Sequence, residues 1–235
     1  MQLFFDANIK KTETSFTFDK TESRHIIRVL RKKEGDILLI TNGKGMLFTS
    51  IISIANDKRC TVNITKVEQR QDTLDYKLHI AIAPTKNNQR LEWFLEKATE
   101  IGISEITPII CANSERKVVK KERLEKVLIA AMKQSKRFYL PKLNDTVSFA
   151  QFLKKDIEGL KFIAHCEETD KKTFKNQLIK GQKISILIGP EGDFSLPEIL
   201  VALENKYTPV SLGKSRLRTE TAGIVATHSV AFFNE

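Results

Sequence analysis

The chain has 235 residues, 41% of them hydrophobic and 29% charged, which is ample for a packed core and unlike a disordered tail. Thirty-nine Lys and Arg against twenty-nine Asp and Glu leave a net charge of +10, which points to a polyanionic partner, nucleic acid being the commonest. No apolar run approaches the ~20 residues that cross a bilayer. The start, MQLFFDANIKK, has its apolar residues ahead of its lysines, so no secretory leader is expected and the expected location is the cytoplasm.

The first ~70 residues read as short strands. LFF, SFTF, DILLITN, MLFTSIISI and CTVNITKV are β-branched or aromatic and separated by turn residues such as Asn42-Gly43 and Asn56-Asp57. This pattern predicts a small β-barrel. One helix interrupts it, SRHIIRVLRKK, capped by Thr21 or Ser23, with Ile26, Ile27 and Leu30 inward. Arg24, Arg28, Arg31, Lys32 and Lys33 form its outward basic face, suited to phosphate contact. The polar stretch RQDTLDY, 70–76, separates a first domain, 1–71, from a second, 74–235.

The second domain alternates strands and helices, which implies a mostly parallel sheet covered by helices. LHIAIA, 78–83, is a buried-type strand ahead of Pro84. RLEWFLEKATEIG follows as a helix stopped by Gly102, then EITPII as a strand. KKERLEKVLIAAMKQSKRFYLP reads as one long helix closed by Pro141, with Leu124, Leu128, Ala131 and Ser135 on one stripe. KFIAHC and KISILIG are two more strands. SLPEILVALENK is a helix opened by a capping box, Ser195 with Glu198. PVSLG is the last strand and TETAGIVATHSVAFF the last helix.

Cys60, Cys111 and Cys166 are odd in number and far apart, so buried reduced thiols are expected. His25, His79, His165 and His228 are equally scattered, and without HExxH or a Cys/His cluster no metal is expected. Two strand ends are unusual. Gly189-Pro190-Glu191-Gly192 joins a buried strand to the capped helix, with glycines that admit close approach of a ligand. Leu212-Gly213 ends the last strand, and Arg216, Arg218 and Glu220 stand just before an apolar helix, where charge is costly unless paired or used by a site. An Arg218–Glu220 pair is the plain structural alternative. GKS, 213–215, is no P-loop, because the glycine required five residues earlier is Thr208. GxGxxG and a nucleophile elbow are absent too.

IGPEGDFSLPEI followed by SLGKSRLRTETA resembles the RsmE family, the bacterial 16S rRNA (uracil-N3)-methyltransferases of the SPOUT superfamily. HIIRVLR, LEWFLEKATEIGI and ANSERKVVKKERLEKVLIAAMKQSKR extend the resemblance along the chain; Asp193 stands where the family more often has glycine. The resemblance implies a PUA-like barrel followed by a SPOUT α/β domain with a C-terminal trefoil knot. It implies S-adenosyl-L-methionine as cofactor, lined by Gly189, Pro190, Glu191, Gly192, Leu212, Gly213, Leu217, Arg218, Thr219 and Ala222. It also implies a homodimer and, as substrate, one uridine of 16S rRNA within the small ribosomal subunit. N3 of uracil must lose its proton before it attacks, so Glu220 is the candidate base and Arg218 the candidate stabiliser of the anion. Arg24, Arg28 and Arg31, with Arg116, Lys117, Lys120, Lys133 and Arg137, are the candidate RNA contacts. A related SPOUT enzyme acting on another rRNA or tRNA position, or a non-catalytic RNA-binding protein, would share much of this pattern.

Overall fold

Alternation of buried and exposed side chains builds the N-terminal strands into one sheet. In the computed structural model, which describes residues 2–72, 74–167 and 170–235, these strands are β1 (Leu3–Phe5), β2 (Ser15–Thr17), β3 (Ile37–Thr41), β4 (Met46–Ile54) and β5 (Thr61–Gln69). Their order is β1-β3-β4-β5-β2, antiparallel except for the β1–β3 pair. Register shifts at Thr49/Ser50 and Ile52/Ile54 bend the long β4–β5 ribbon. Phe4, Phe18, Ile26, Leu38, Ile40, Phe48 and Val62 fill the space this sheet encloses.

The expected helix begins earlier than its sequence suggests. Helix α1 (Lys20–Arg24) is capped by Asp19, whose carboxylate accepts the Glu22 N–H at 2.7 Å, rather than by Thr21 or Ser23. Ser23 is instead buried, and its hydroxyl accepts the Cys60 N–H. His25–Val29 continue in a wider π-type turn, which ends where Arg31 adopts a left-handed φ of 54°. Ile26 is buried and Ile27 and Leu30 pack beside it, as expected.

The second sheet is parallel at every recorded pairing. Its strands are β6 (Lys77–Ile82), β7 (Glu105–Ile110), β8 (Lys142–Leu143), β9 (Val147–Ser148), β10 (Leu160–Ala164), β11 (Lys172–Thr173), β12 (Lys183–Ile188) and β13 (Thr208–Ser211). The order is β11-β13-β10-β12-β6-β7-β8, with β9 also on β7. Helices α2 (Asn88–Ile101), α3 (Lys121–Gln134), α4 (Phe149–Leu153), α5 (Leu196–Glu204) and α6 (Thr219–Asn234) connect them. Apolar runs such as ILI of β12 are buried throughout, because helices cover the sheet. α6 approaches α2 closely at Gly223, where a Cβ would stand 2.5 Å from a Phe94 ring carbon.

Helix α3 departs from expectation at its end. It stops at Gln134, well before Pro141, because Lys136 turns left-handed at φ 53° and Ser135 lies beyond the last turn. Residues 137–140 leave the helix instead, with Tyr139 bridged to Lys44. The chain divides into two units. One holds the described residues before 73 with Met132–Leu140, the other Leu74–Ala131 with Pro141–Glu235.

Candidate functional site

Because their strands are parallel, β10, β12 and β13 end on the same edge of the sheet. Their carboxyl ends, at Ala164, Ile188 and Ser211, open into a cavity of about 610 Å³. That volume lies within the ~300–1,000 Å³ range of small-molecule sites, at the position where open α/β sheets bind ligands.

The 189–195 loop forms one wall. Gly189 leaves little space for a side chain, since a Cβ would stand 3.1 Å from the Phe194 ring, which would have to give way. Pro190 and Glu191 line the cavity, and Glu191 accepts the Lys86 N–H at 3.0 Å. Gly192 lies outside the lining, exposed against Asn113, whose amide donates to the carbonyls of Gly192 and Asp193. Asp193 takes a left-handed φ of 61°, the conformation that a glycine would adopt more cheaply. Its carboxylate justifies the residue: Oδ2 accepts the Cys166 N–H at 2.7 Å and Oδ1 the Phe194 N–H at 2.8 Å. Asp193 therefore ties two strand-end loops together, while the cap of α5 is Ser195 with Glu198, as the sequence indicates.

The 212–218 loop forms the opposite wall. Leu212, Gly213, Leu217, Arg218, Thr219 and Ala222 all line the cavity, joined by Arg216. Gly213 has φ 154°, in the region that favours glycine. The buried Thr219 hydroxyl donates to the Gly189 carbonyl at 3.0 Å, fastening this wall to the first. Arg218 occupies the position before α6 and is exposed to the cavity. Glu220 is 6% exposed and sits outside the lining. Its ion partner is Arg90 of α2, at 3.7 Å from Oε1, rather than Arg218; Oε2 is buried with no hydrogen-bond partner among the described residues.

Sequence reasoning missed the third wall, the end of β10. His165 and Cys166 line the cavity, yet nothing around KFIAHC forms a motif. Cys166 is exposed, unlike Cys60 and Cys111, so the expectation of three buried thiols holds for two. His165 is buried with neither ring nitrogen partnered among the described residues, and burial followed by the nearby Lys171 lowers its pKa.

The candidate RNA contacts differ in what they already do. In the first unit Arg24 and Arg31 are exposed, while Arg28 is exposed but holds Asp57 at 2.9 Å. Lys133 is partly buried, 3.2 Å from Glu22 and over the Phe4 ring, so its charge is engaged inside that unit. Arg137 is half-buried there. In the second unit Arg116 donates to the carbonyls of Thr85 and Lys86, holding the turn that meets Glu191. Lys117 and Lys120 are exposed.

The RNA methyltransferase domain model matches residues 72–231, and the RNA methyltransferase PUA domain model matches 18–65. The ribosomal RNA small subunit methyltransferase E of Buchnera aphidicola subsp. Acyrthosiphon pisum is 30% identical, over 90% of this chain and 85% of that protein. A Porphyromonas gingivalis crystal structure, described as a probable rRNA-methyltransferase, has a TM-score of 0.93 and 39% identity, over 100% of this chain and 98% of that one. The ribosomal RNA small subunit methyltransferase E of Neisseria gonorrhoeae, solved bound to S-adenosyl methionine, has a TM-score of 0.81 and 25% identity, over 97% and 95%. With an α/β fold, the two domain matches in this order and full-length similarity, the chain belongs to the ribosomal RNA small subunit methyltransferase E family.

Proposed function

We propose that this chain is an S-adenosyl-L-methionine-dependent methyltransferase acting on N3 of one uridine in 16S rRNA of the small ribosomal subunit. The observation that carries this reading is the cavity of about 610 Å³ bounded by the 189–195 and 212–218 loops. Its lining suits the cofactor. Ile188, Val210, Leu212 and Leu217 would offer apolar contact for a base, Arg216 would meet a carboxylate, and Glu191 and Asp193 would meet positive charge. When bound, the cofactor supplies an electrophilic methyl group on a sulfonium.

The protein's residues do the rest. Gly189 and Gly213 let backbone approach the ligand, and Thr219 locks the two loops so that the ligand meets a preformed wall. Arg218 stabilises the negative charge that grows on the uracil as N3 is deprotonated. Glu220 is the candidate base: Arg90 holds its Oε1, Oε2 has no partner among the described residues, and it would take the N3 proton once that buried oxygen is opened to the cavity beside it. N3 lies on the Watson–Crick edge, so the uridine enters unpaired or flipped out.

The same reading extends to organisation. Residues 1–71 serve as a PUA-like barrel that binds RNA through Arg24, Arg28 and Arg31, and 74–235 as the methyltransferase domain. After β13, at one side of the sheet, the chain returns to α6 over β6 and β12, a path that supports a trefoil knot. Leu196, Leu200 and Leu203 form an apolar stripe on α5, 62%, 60% and 40% exposed, which supports a homodimer. Among the described residues no helix is long and apolar enough to cross a membrane, and work in the cytoplasm on ribosomal subunits belongs to this same reading.

The test incubates the purified protein with radiolabelled S-adenosylmethionine and small subunits from a strain lacking its own enzyme, then maps the product by mass spectrometry. The expected result is a single 3-methyluridine in 16S rRNA. Transfer to tRNA or to another rRNA atom instead would overturn the substrate assignment.

A further inference from the structure

The strand ends that open into the cofactor cavity are not held alike. β10 pairs with β12 and β13 as far as Ala164, opposite Ile188 and Val210. His165 and Cys166 continue past the end of that ladder and still line the cavity. Two side chains steady this stretch. The Lys171 ammonium donates to the carbonyls of His165, at 3.0 Å, and Glu167, at 2.7 Å, but it comes from the same connection between β10 and β11. Asp193 reaches over from the 189–195 loop, and its Oδ2 accepts the Cys166 N–H at 2.7 Å.

The backbone at Asp193 is fixed without help from this carboxylate. Its N–H donates to the Pro190 carbonyl at 2.9 Å. Asn113 Nδ2 donates to the carbonyls of Gly192 and Asp193, each at 3.1 Å. These bonds hold residue 193 at its left-handed φ of 61°, where glycine meets no steric penalty and an L side chain does. A glycine would therefore close the same loop more easily. What aspartate adds is a pair of charged acceptors. Oδ1 takes the Phe194 N–H beside it, at 2.8 Å, and Oδ2 takes the Cys166 N–H of another strand end. Bonds to a charged acceptor are roughly twice as strong as neutral ones.

We propose that Asp193 is a positioning residue for the cofactor: through the Cys166 N–H it presets the β10 wall, so that the ligand meets three walls already in place. This inference rests on the cofactor reading of the cavity and deepens it. A wall left loose must be ordered by the ligand, and that ordering weakens binding.

The experiment compares the parent with Asp193→Gly and Asp193→Asn at a temperature well below unfolding. Hydrogen exchange resolved to the Cys166 amide is measured first, without ligand. Calorimetric titrations with S-adenosylmethionine and with S-adenosylhomocysteine follow. Asp193→Gly is expected to exchange the Cys166 amide about tenfold faster or more, and to bind both ligands about tenfold more weakly, the scale of one hydrogen bond to a charged group. Asp193→Asn tolerates the left-handed backbone and keeps one acceptor oxygen, so it lies between the two, and it carries the comparison if the glycine variant does not fold. An equal loss for both ligands marks positioning. S-adenosylmethionine has a sulfonium charge that S-adenosylhomocysteine lacks, so a loss confined to S-adenosylmethionine makes Asp193 a direct charge contact and overturns the proposal. So does unchanged exchange at Cys166, or an affinity within twofold of the parent's. A merely structural role would lower the melting temperature and leave the affinity of the folded protein where it was. A parent that binds neither ligand strikes the methyltransferase reading and this inference with it. A parent that binds, beside an Asp193→Gly variant that binds as tightly, strikes this inference alone.

Discussion

Glu220 is buried with one oxygen facing Arg90 and the other facing no donor among the described residues, an arrangement that costs stability unless a proton or ligand meets it. Glu220→Gln keeps the shape and removes the base, so kcat is expected to fall about 10²-fold or more while cofactor affinity stays within about twofold. Calorimetric titration with S-adenosylmethionine beside single-turnover methylation separates the two, and an unchanged rate removes Glu220 from the chemistry. His79 gives a different expectation. Its folded pKa, about 4, lies below its ordinary value of 6.5 because burial disfavours the cation. Between those values the unfolded chain binds the extra proton, so stability rises with pH across the window and is lost as pH falls from about 6.5 to 4. The loss is on the order of 3 kcal/mol, and urea melts of the parent and His79→Gln at pH 7 and pH 4.5 check it. A parent whose midpoint does not fall relative to the variant would contradict this sign.

At the scale of elements, local signals in the sequence carried far. The Ser195–Glu198 capping box and the β-branched run MLFTSIISI appear as a capped helix, which ends two residues sooner than read, and as β4 with the bounds read. Legibility failed where tertiary contacts decide. The last turn after Gln134 keeps good helix formers, yet Lys136 turns left-handed and 137–140 pair beside Lys44. Helix α4 carries its own box, Ser148 with Gln151, but is only five residues long and was lost between stronger signals. At the site, the two loops with glycine and charge were readable; the β10 end was not, since a buried histidine and a single cysteine follow any strand without remark. The Arg218–Glu220 pairing failed because α6 turns Glu220 toward α2, a direction set by packing. That packing is tight. Gly223→Ala adds a methyl group that overlaps the buried Phe94, and is expected to destabilise by about 1–3 kcal/mol despite alanine's better helix propensity. Denaturant melts check it, and a stabilised variant would show that α6 and α2 can part at no cost.

For the molecule as a whole, a charge of +10 with exposed Arg24, Arg31, Lys117 and Lys120 predicts RNA binding dominated by phosphate contact. If four such cations each neutralise a phosphate, log affinity falls against log salt with a slope of about −3 to −4. Filter binding of small-subunit rRNA between low and physiological salt measures it, and a flat line would remove these cations from the interface. The parallel sheet has a consequence of another kind. Its central neighbours, β6 and β12, set Ile80 beside Ile186, about a hundred residues along the chain, and β12 must enter between β6 and the earlier-made β10. No hairpin can seed such a centre, so it closes late and slowly. Until then the edges of β6 and β10 stand unpaired, and the nascent protein is at its most vulnerable to self-association. A protein that modifies ribosomes would thus depend, during its own birth on one, on whatever guards those edges until β12 arrives.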